Sequence, residues 1–244
     1  MKKKLYAMLA AAAFATAGSA SASVVSTGGE LLSTLLNRPF EASVTATSQE
    51  LFRGTRVGDS LIAVSVGTDW ALPGDVTLDA SVTFEENSDA DFETLFAAKA
   101  TKAVAGYDVG VGLNYYSEGT KVVGDVTSEL GLSVSKAVGS VDLSVTQFIA
   151  LEGDNDNYGE VGAGLSREVA GRVVDVKGAV GYVLDETEFT HAQVTLSTDF
   201  TVDPFDLKVT PFVTGVVALA SDAGGIYDGA DDEVIVGVKV SKSF

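Results

Sequence analysis

The sequence predicts an all-β protein, a transmembrane antiparallel up-and-down β-barrel of about twelve strands. The first observation is strict alternation at the end of the chain. There, every second residue from Val234 to Val240 is valine, and Lys239 lies on the opposite face. The second is an apolar content of 46% without any run of eighteen apolar residues after residue 22, which argues against a transmembrane helix. The third is a regular alternation of short and long connections.

Most of twelve predicted segments show this strand-like alternation, and the phase of the fourth, 92–103, is ambiguous. In one of them, Val109, Val111 and Leu113 share a face, and glycines lie between them. A soluble barrel could use the same segments with the valines inward, so periodicity alone leaves both orientations open. We predict strands at 42–52, 60–70, 75–84, 92–103, 107–116, 125–136, 140–151, 158–167, 173–184, 188–201, 205–219 and 232–244.

The connections between these segments favour the membrane orientation. The short ones, such as Pro73-Gly74 and Ala170-Gly171, have turn-forming residues, and the long ones and their edges carry many more acidic residues than the short ones. Membrane barrels place short turns on the periplasmic side and longer loops outside, whereas a soluble β-sandwich has no reason to keep this order. Because an open sheet in lipid leaves its edge groups unpaired, we expect the first strand to pair with the last.

The first 22 residues predict a secretory signal peptide. Three lysines precede an apolar, alanine-rich run from Leu5 to Ala17, and Ala20-Ser21-Ala22 has the pattern of a cleavage site. An uncleaved anchor is the alternative, but the run is short for a bilayer span. Residues 23–39 are then expected to form a periplasmic extension, and residues 40–244 the barrel.

The charge balance excludes one class of partner. Removing the three lysines of the leader from 16 Lys and Arg leaves 13 against 34 Asp and Glu, a net charge of −21. Such an acidic chain is not expected to bind nucleic acid. Cysteine is absent, so strand pairing and side-chain packing have to stabilise the fold without disulfides.

On this interpretation, the residues between the outward apolar ones line a lumen. Most of them are Gly, Ala, Ser or Thr, which leave room for water, and scattered charges of both signs can set an ion preference. The alternative, a lumen filled by side chains or loops and without conductance, stays open. The lumen candidates are Asp69, Asp79, Asp175, Lys177, Lys208 and Lys239.

Catalysis and metal binding are the other functions that we considered. Some twelve-stranded outer-membrane barrels are lipid-cleaving enzymes that use serine and histidine. The only histidine, His191, falls on the lumen phase rather than the lipid-facing phase, so we interpret it as a solvated lumen residue. The acidic segments at 152–160 and 228–233 offer oxygen ligands but lack EF-hand spacing, so we expect no metal or cofactor there.

Two motifs carry a resemblance to a known family. The segment Ser48–Arg56 resembles the start of the TorF-like porins of Gram-negative bacteria, whose first strand typically ends in a Phe-Arg-Gly turn. In this chain that turn is Phe52-Arg53-Gly54, and the Glu-Leu pair before it departs from the family pattern. Arg53 and Arg56 are candidates for a rim contact, and simple loop structure is the alternative.

The second motif is the alternating C-terminal segment that ends on Phe244. It looks like the signal that the outer-membrane assembly machinery reads. The resemblance implies an outer-membrane location, contact with membrane lipids and with that machinery, and passage of ions or small solutes. We therefore expect a small porin rather than an enzyme, with a non-conducting structural or surface-binding barrel as the alternative.

Overall fold

The structure is a computed structural model that describes residues 39–53, 55–87, 93–117, 128–151, 157–184, 188–219 and 232–244. The expected signal peptide, the extension before residue 39 and most of the long acidic loops lie outside these ranges. No helix among the described residues is long and apolar enough to cross a membrane. The strands are β1 (Phe40–Thr47), β2 (Glu50–Phe52), β3 (Thr55–Gly58), β4 (Leu61–Leu72), β5 (Val76–Asn87), β6 (Glu93–Val104), β7 (Tyr107–Ser117), β8 (Ser128–Val138), β9 (Val141–Ala150), β10 (Tyr158–Val169), β11 (Arg172–Val183), β12 (Glu188–Thr198), β13 (Phe200–Val202), β14 (Leu207–Ala218) and β15 (Glu233–Ser243).

Twelve of these strands form one closed antiparallel barrel, in the order β1, β4 to β12, β14 and β15. The short β13 pairs with β14 alongside β12, and β2 pairs only with β3. Closure comes from β1, which pairs with β4 on one side and with β15 on the other. At this seam Phe40 and Phe244 exchange backbone hydrogen bonds, and their rings stack with centroids 5.0 Å apart. The predicted fold class and the pairing of first strand with last are confirmed.

The valine rows face outward. Val234 and Val236 expose 65% and 59% of their surface, while Ile235 between them is buried. The same holds around the ring, where exposed Val, Leu and aromatic side chains occupy the outer phase of the barrel strands. An apolar band of this extent is typical of a membrane-spanning barrel, because proteins that are surrounded by water rarely expose so large a contiguous apolar surface.

The short turns share one end of the barrel with Phe40 and Phe244, and we call it the turn side. Ala105-Gly106 and Ala170-Gly171 are two-residue loops with positive φ at both residues, and glycine adopts that conformation without strain. The opposite end, where the long connections begin, is the loop side.

One predicted strand is wrong in its extent. The segment 42–52 was expected to be continuous, but β1 ends at Thr47 and β2 belongs to a separate hairpin. At the break, the Ser48 N–H donates to Val236 O at 2.8 Å, and Ser48 Oγ accepts from Val236 N at 3.0 Å. Gln49 Nε2 then donates to Glu233 Oε2 at 2.8 Å. These bonds attach the break to β15, so the following residues leave the wall.

Candidate functional site

Among the described residues, two cavities of about 660 and 490 Å³ lie in the lumen. Most of their lining residues are Gly, Ala, Ser and Thr from the inward phase of the strands. Each cavity is lined by three carboxylates and one lysine. In the first they are Glu41, Asp69, Asp79 and Lys99, and in the second Asp142, Glu160, Asp175 and Lys177.

Four of the six lumen candidates therefore line a cavity. Asp69 on β4 is directly opposite Asp79 on β5, and Asp79 is opposite Lys99 on β6, so the three form one row across the wall. Asp175 and Lys177 lie two residues apart on the inward phase of β11, where Asp175 accepts a hydrogen bond from the Ser166 hydroxyl.

The other two candidates, Lys208 and Lys239, form ion pairs near the turn side. Lys208 Nζ is 2.7 Å from Asp199 Oδ2, and Lys239 Nζ is 2.9 Å from Glu41 Oε1. All four side chains remain well exposed. Because Glu41 lines the first cavity, Lys239 reduces the negative charge at one edge of that cavity.

A hairpin crosses the loop-side mouth of the lumen. It is formed by β2 and β3, which connect β1 to β4, and Arg53 lies at its tip with a φ of 51°. Around the ring, the gap between β1 and β4 is diametrically opposite the gap between β9 and β10. Arg53 contacts Phe148 on β9 and Tyr158 on β10, so the hairpin reaches the far wall. We call residues 50–58 the crossing hairpin.

Arg53 is held in a socket formed by Tyr116, Glu129, Phe148 and Tyr158. Its guanidinium forms an ion pair with Glu129 and lies 4.6 Å from the Tyr158 ring centroid and 5.3 Å from that of Phe148. The Tyr116 hydroxyl donates to Glu129 Oε2 at 3.2 Å. Only 8% of the Arg53 side chain and 1% of the Glu129 side chain are exposed. A buried charge pair that is also hydrogen-bonded and packed on aromatic faces fixes the hairpin tip in one position.

The sequence interpretation named Arg53 but missed the socket. It gave Arg53 and Arg56 as candidates for a rim contact, with simple loop structure as the alternative. In the structure, Arg53 is buried against the far wall. Glu129 is 76 residues away in sequence, so no local pattern could have connected the two. The sequence did offer one sign, because Glu129 is the only acidic residue among the otherwise small inward side chains of β8. Of the Phe52-Arg53-Gly54 turn, Phe52 ends β2, and Gly54 lies outside the described residues.

His191 is on the lumen phase, as expected, but it is not solvated. Only 1% of its surface is exposed, and its ring lies parallel to that of Tyr158 with centroids 6.3 Å apart. Its Nδ1 is 3.0 Å from the Thr190 hydroxyl. The site depends on Gly181 of β11, where a Cβ would be only 2.5 Å from His191 Cε1. The expectation of a solvated histidine is wrong because the strand register presses His191 between Gly181 and Tyr158.

In the part of the chain that the structure describes, no group of three or more His, Asp or Glu could hold a metal ion. Most of the acidic loop residues that were considered as oxygen ligands, including Asp154, Asp156 and Asp228, lie outside that part.

No protein-family model matches the chain, and no curated protein matches its sequence. Membership of the TorF-like porins therefore stays a prediction. Solved structures do match. A membrane protein from a study of in-meso crystallisation has a TM-score of 0.53 at 11% identity, covering 84% of this chain and 84% of that chain.

An outer-membrane channel from Pseudomonas putida F1 has a TM-score of 0.50 at 12% identity, covering 84% of this chain and 94% of that chain. The outer membrane phospholipase A from Escherichia coli has a TM-score of 0.47 at 17% identity, covering 83% and 91% of the two chains. The first two likenesses show the fold: this chain is a closed, membrane-spanning β-barrel of the outer-membrane type.

Proposed function

We propose that this protein is a porin of the bacterial outer membrane that passes small solutes and prefers cations. The observation that carries the proposal is the acidic lumen, in which each of two water-accessible cavities is lined by three carboxylates and one lysine. A lumen with no transport role would be filled by packed side chains, and the small inward residues of this barrel leave it open to water.

The charge of the cavity walls supports the cation preference. Carboxylates that face a narrow polar passage with low-dielectric walls raise the local concentration of cations and exclude anions. At the mouth, the charge of Arg53 is paired with that of Glu129, so Arg53 does not offset the negative charge of the cavities. Asp69 and Asp79, directly opposite each other, carry the largest share in the first cavity.

The location and the partners belong to the same proposal. The leader of residues 1–22 directs export, and the C-terminal strand ending on Phe244 is the segment that the assembly machinery engages. The Phe-Arg-Gly turn supports a place near the TorF-like porins. Because His191 is buried, we propose no catalytic role for it.

The test is planar-bilayer recording of the refolded protein with a KCl gradient across the membrane. We expect discrete conductance steps and a reversal potential of the sign that marks cation preference. Asp69→Asn with Asp79→Asn should move that potential toward zero. Glu86→Gln, on the opposite face of β5, is the control and should leave the potential unchanged. If well-folded protein shows no conductance steps, the porin function is refuted.

One observation favours a second candidate, a barrel that does not conduct. The crossing hairpin occupies the middle of the loop-side mouth, and its tip is fixed to the far wall. If it seals the mouth, the barrel would serve to present its acidic loops at the cell surface. Wild-type protein that is silent, and that conducts after deletion of residues 50–58, would favour this candidate over the porin.

A further inference from the structure

Within the described ranges, five cationic residues face outward at the turn side of the barrel, although the chain as a whole has a net charge of −18. We call them the cationic belt. They lie on five different strands, so the belt extends around much of the circumference. Its members are Lys102 on β6, Lys136 on β8, Arg167 on β10, Arg172 on β11 and Lys242 on β15.

The strand register places these residues on the lipid-facing phase. Lys136 lies between Val134 and Val138, which are both exposed outward. Arg172 is directly opposite the exposed Val169. The same argument holds for the rest, since Lys102, Arg167 and Lys242 are opposite Val76, Val174 and Ala42 on the outer face.

No described carboxylate neutralises the belt. The ion pairs among the described residues involve Arg53, Lys208 and Lys239 and none of the five belt residues. The acidic residues at this end are either inward, such as Asp108 and Glu168, or in the turns. The outer face of this rim therefore carries an excess of positive charge.

Aromatic rings hold three of the cations at the level of the membrane interface. Lys136 Nζ lies 4.3 Å from the ring centroid of Tyr107, and the Arg172 guanidinium lies 4.4 Å from that of Phe200. Lys242 Nζ lies 5.3 Å from that of Phe244. Aromatic residues mark the height of the lipid headgroups, and cations beside them have their apolar stems in hydrocarbon and their charge among phosphates.

We propose that the cationic belt binds the phosphate groups of anionic phospholipids in the leaflet that faces the periplasm. The turn side meets that leaflet, and unpaired cations at headgroup height are attracted to anionic lipid. Arg167 and Arg172, which flank the Ala170-Gly171 turn as diagonal neighbours, are roughly 7–8 Å apart and can share one phosphate. This interaction goes beyond the porin function and does not depend on conductance.

The test compares thermal unfolding of the full chain, refolded into vesicles of zwitterionic phosphatidylcholine with or without 30% phosphatidylglycerol. We expect the anionic lipid to raise Tm by on the order of 5 °C and high salt to remove the gain. A variant with all five belt residues replaced by glutamine should lose the gain. The control is Lys99→Gln with Lys177→Gln, two lumen residues, and this variant should keep the rise in Tm.

The double variant Arg167→Gln with Arg172→Gln is the milder form, and it should lose part of the gain if the fivefold variant does not fold. A third arm adds inorganic phosphate to protein in zwitterionic vesicles, and we expect no rise in Tm there. The proposal is overturned if wild type and both belt variants respond equally to phosphatidylglycerol. It is also overturned if free phosphate alone reproduces the gain.

Discussion

The ion pair between Arg53 and Glu129 is the contact whose loss should change the barrel most. Replacing Arg53 by alanine leaves the Glu129 carboxylate buried, with the Tyr116 hydroxyl as the described hydrogen bond that remains to it. Breaking one partner of a buried pair costs about 3–5 kcal/mol, because the remaining charge loses its compensating partner. The exposed pair between Lys239 and Glu41, with side-chain exposures of 41% and 46%, should contribute less than about 1 kcal/mol.

A double-mutant cycle separates the ion pair from the other contacts of Arg53. Arg53→Ala also removes the packing on Phe148 and Tyr158, whereas the coupling between Arg53→Ala and Glu129→Ala reports the pair itself. We expect a coupling of at least about 2 kcal/mol here and below about 0.5 kcal/mol for the matched cycle on Lys239 and Glu41.

The assay is equilibrium unfolding in urea, followed by the fluorescence of Trp70, the only tryptophan. Single-channel recording of Arg53→Ala provides a second readout, in which release of the hairpin tip should raise conductance. Equal couplings in the two cycles would show that the socket is no more than a surface contact. A conductance identical to wild type would show that the crossing hairpin does not narrow the mouth.

Three further predictions concern the wall and the seam. Gly181→Ala should destabilise the barrel by about 1–3 kcal/mol in the same urea titration, because the buried side chains around it cannot move away from the new Cβ. The control is Gly215→Ala, whose Cβ would have no atom within 4 Å, and it should leave the stability nearly unchanged. Val145→Arg, on the lipid face at mid-strand, should cost about 2–4 kcal/mol, while Thr146→Arg, on the next position and in the lumen, should cost little and reduce cation preference. Phe244→Ala should lower the amount of barrel recovered in the outer membrane of cells but not the yield of refolding into vesicles; equal recovery in cells would refute an assembly role.

The barrel wall could be predicted from the sequence because its signal is local and repeated. Lipid on one side and water on the other require alternation at every strand, and tight turns require glycine at a few positions such as Gly106 and Gly171. Most strands therefore show the pattern by themselves, and its repetition along the chain, together with the alternating short and long connections, excludes most other folds. The same phase argument assigns the inward face, where all six lumen candidates lie by register.

The crossing hairpin could not be predicted, because long-range contacts form it. The segment before Phe52 alternates well enough to continue a strand, and only the bonds of Ser48 and Gln49 to β15 show where the chain leaves the wall. The burial of Arg53 depends on its ion pair with Glu129 across the barrel, and no spacing rule in the sequence connects the two residues. Likewise, the burial of His191 depends on a glycine in the neighbouring strand.

The attachment of the hairpin base to β15 has a consequence for the order of events during biogenesis. Ser48 and Gln49 directly follow β1, the first strand of the barrel, and their partners Val236 and Glu233 lie on β15, its last strand. Before β15 is in place, Arg53 at the hairpin tip can pair with Glu129, but Ser48 and Gln49 at the hairpin base lack their hydrogen-bond partners. The pairing of β1 with β15 that closes the barrel therefore also brings together the groups that hold the base of the crossing hairpin.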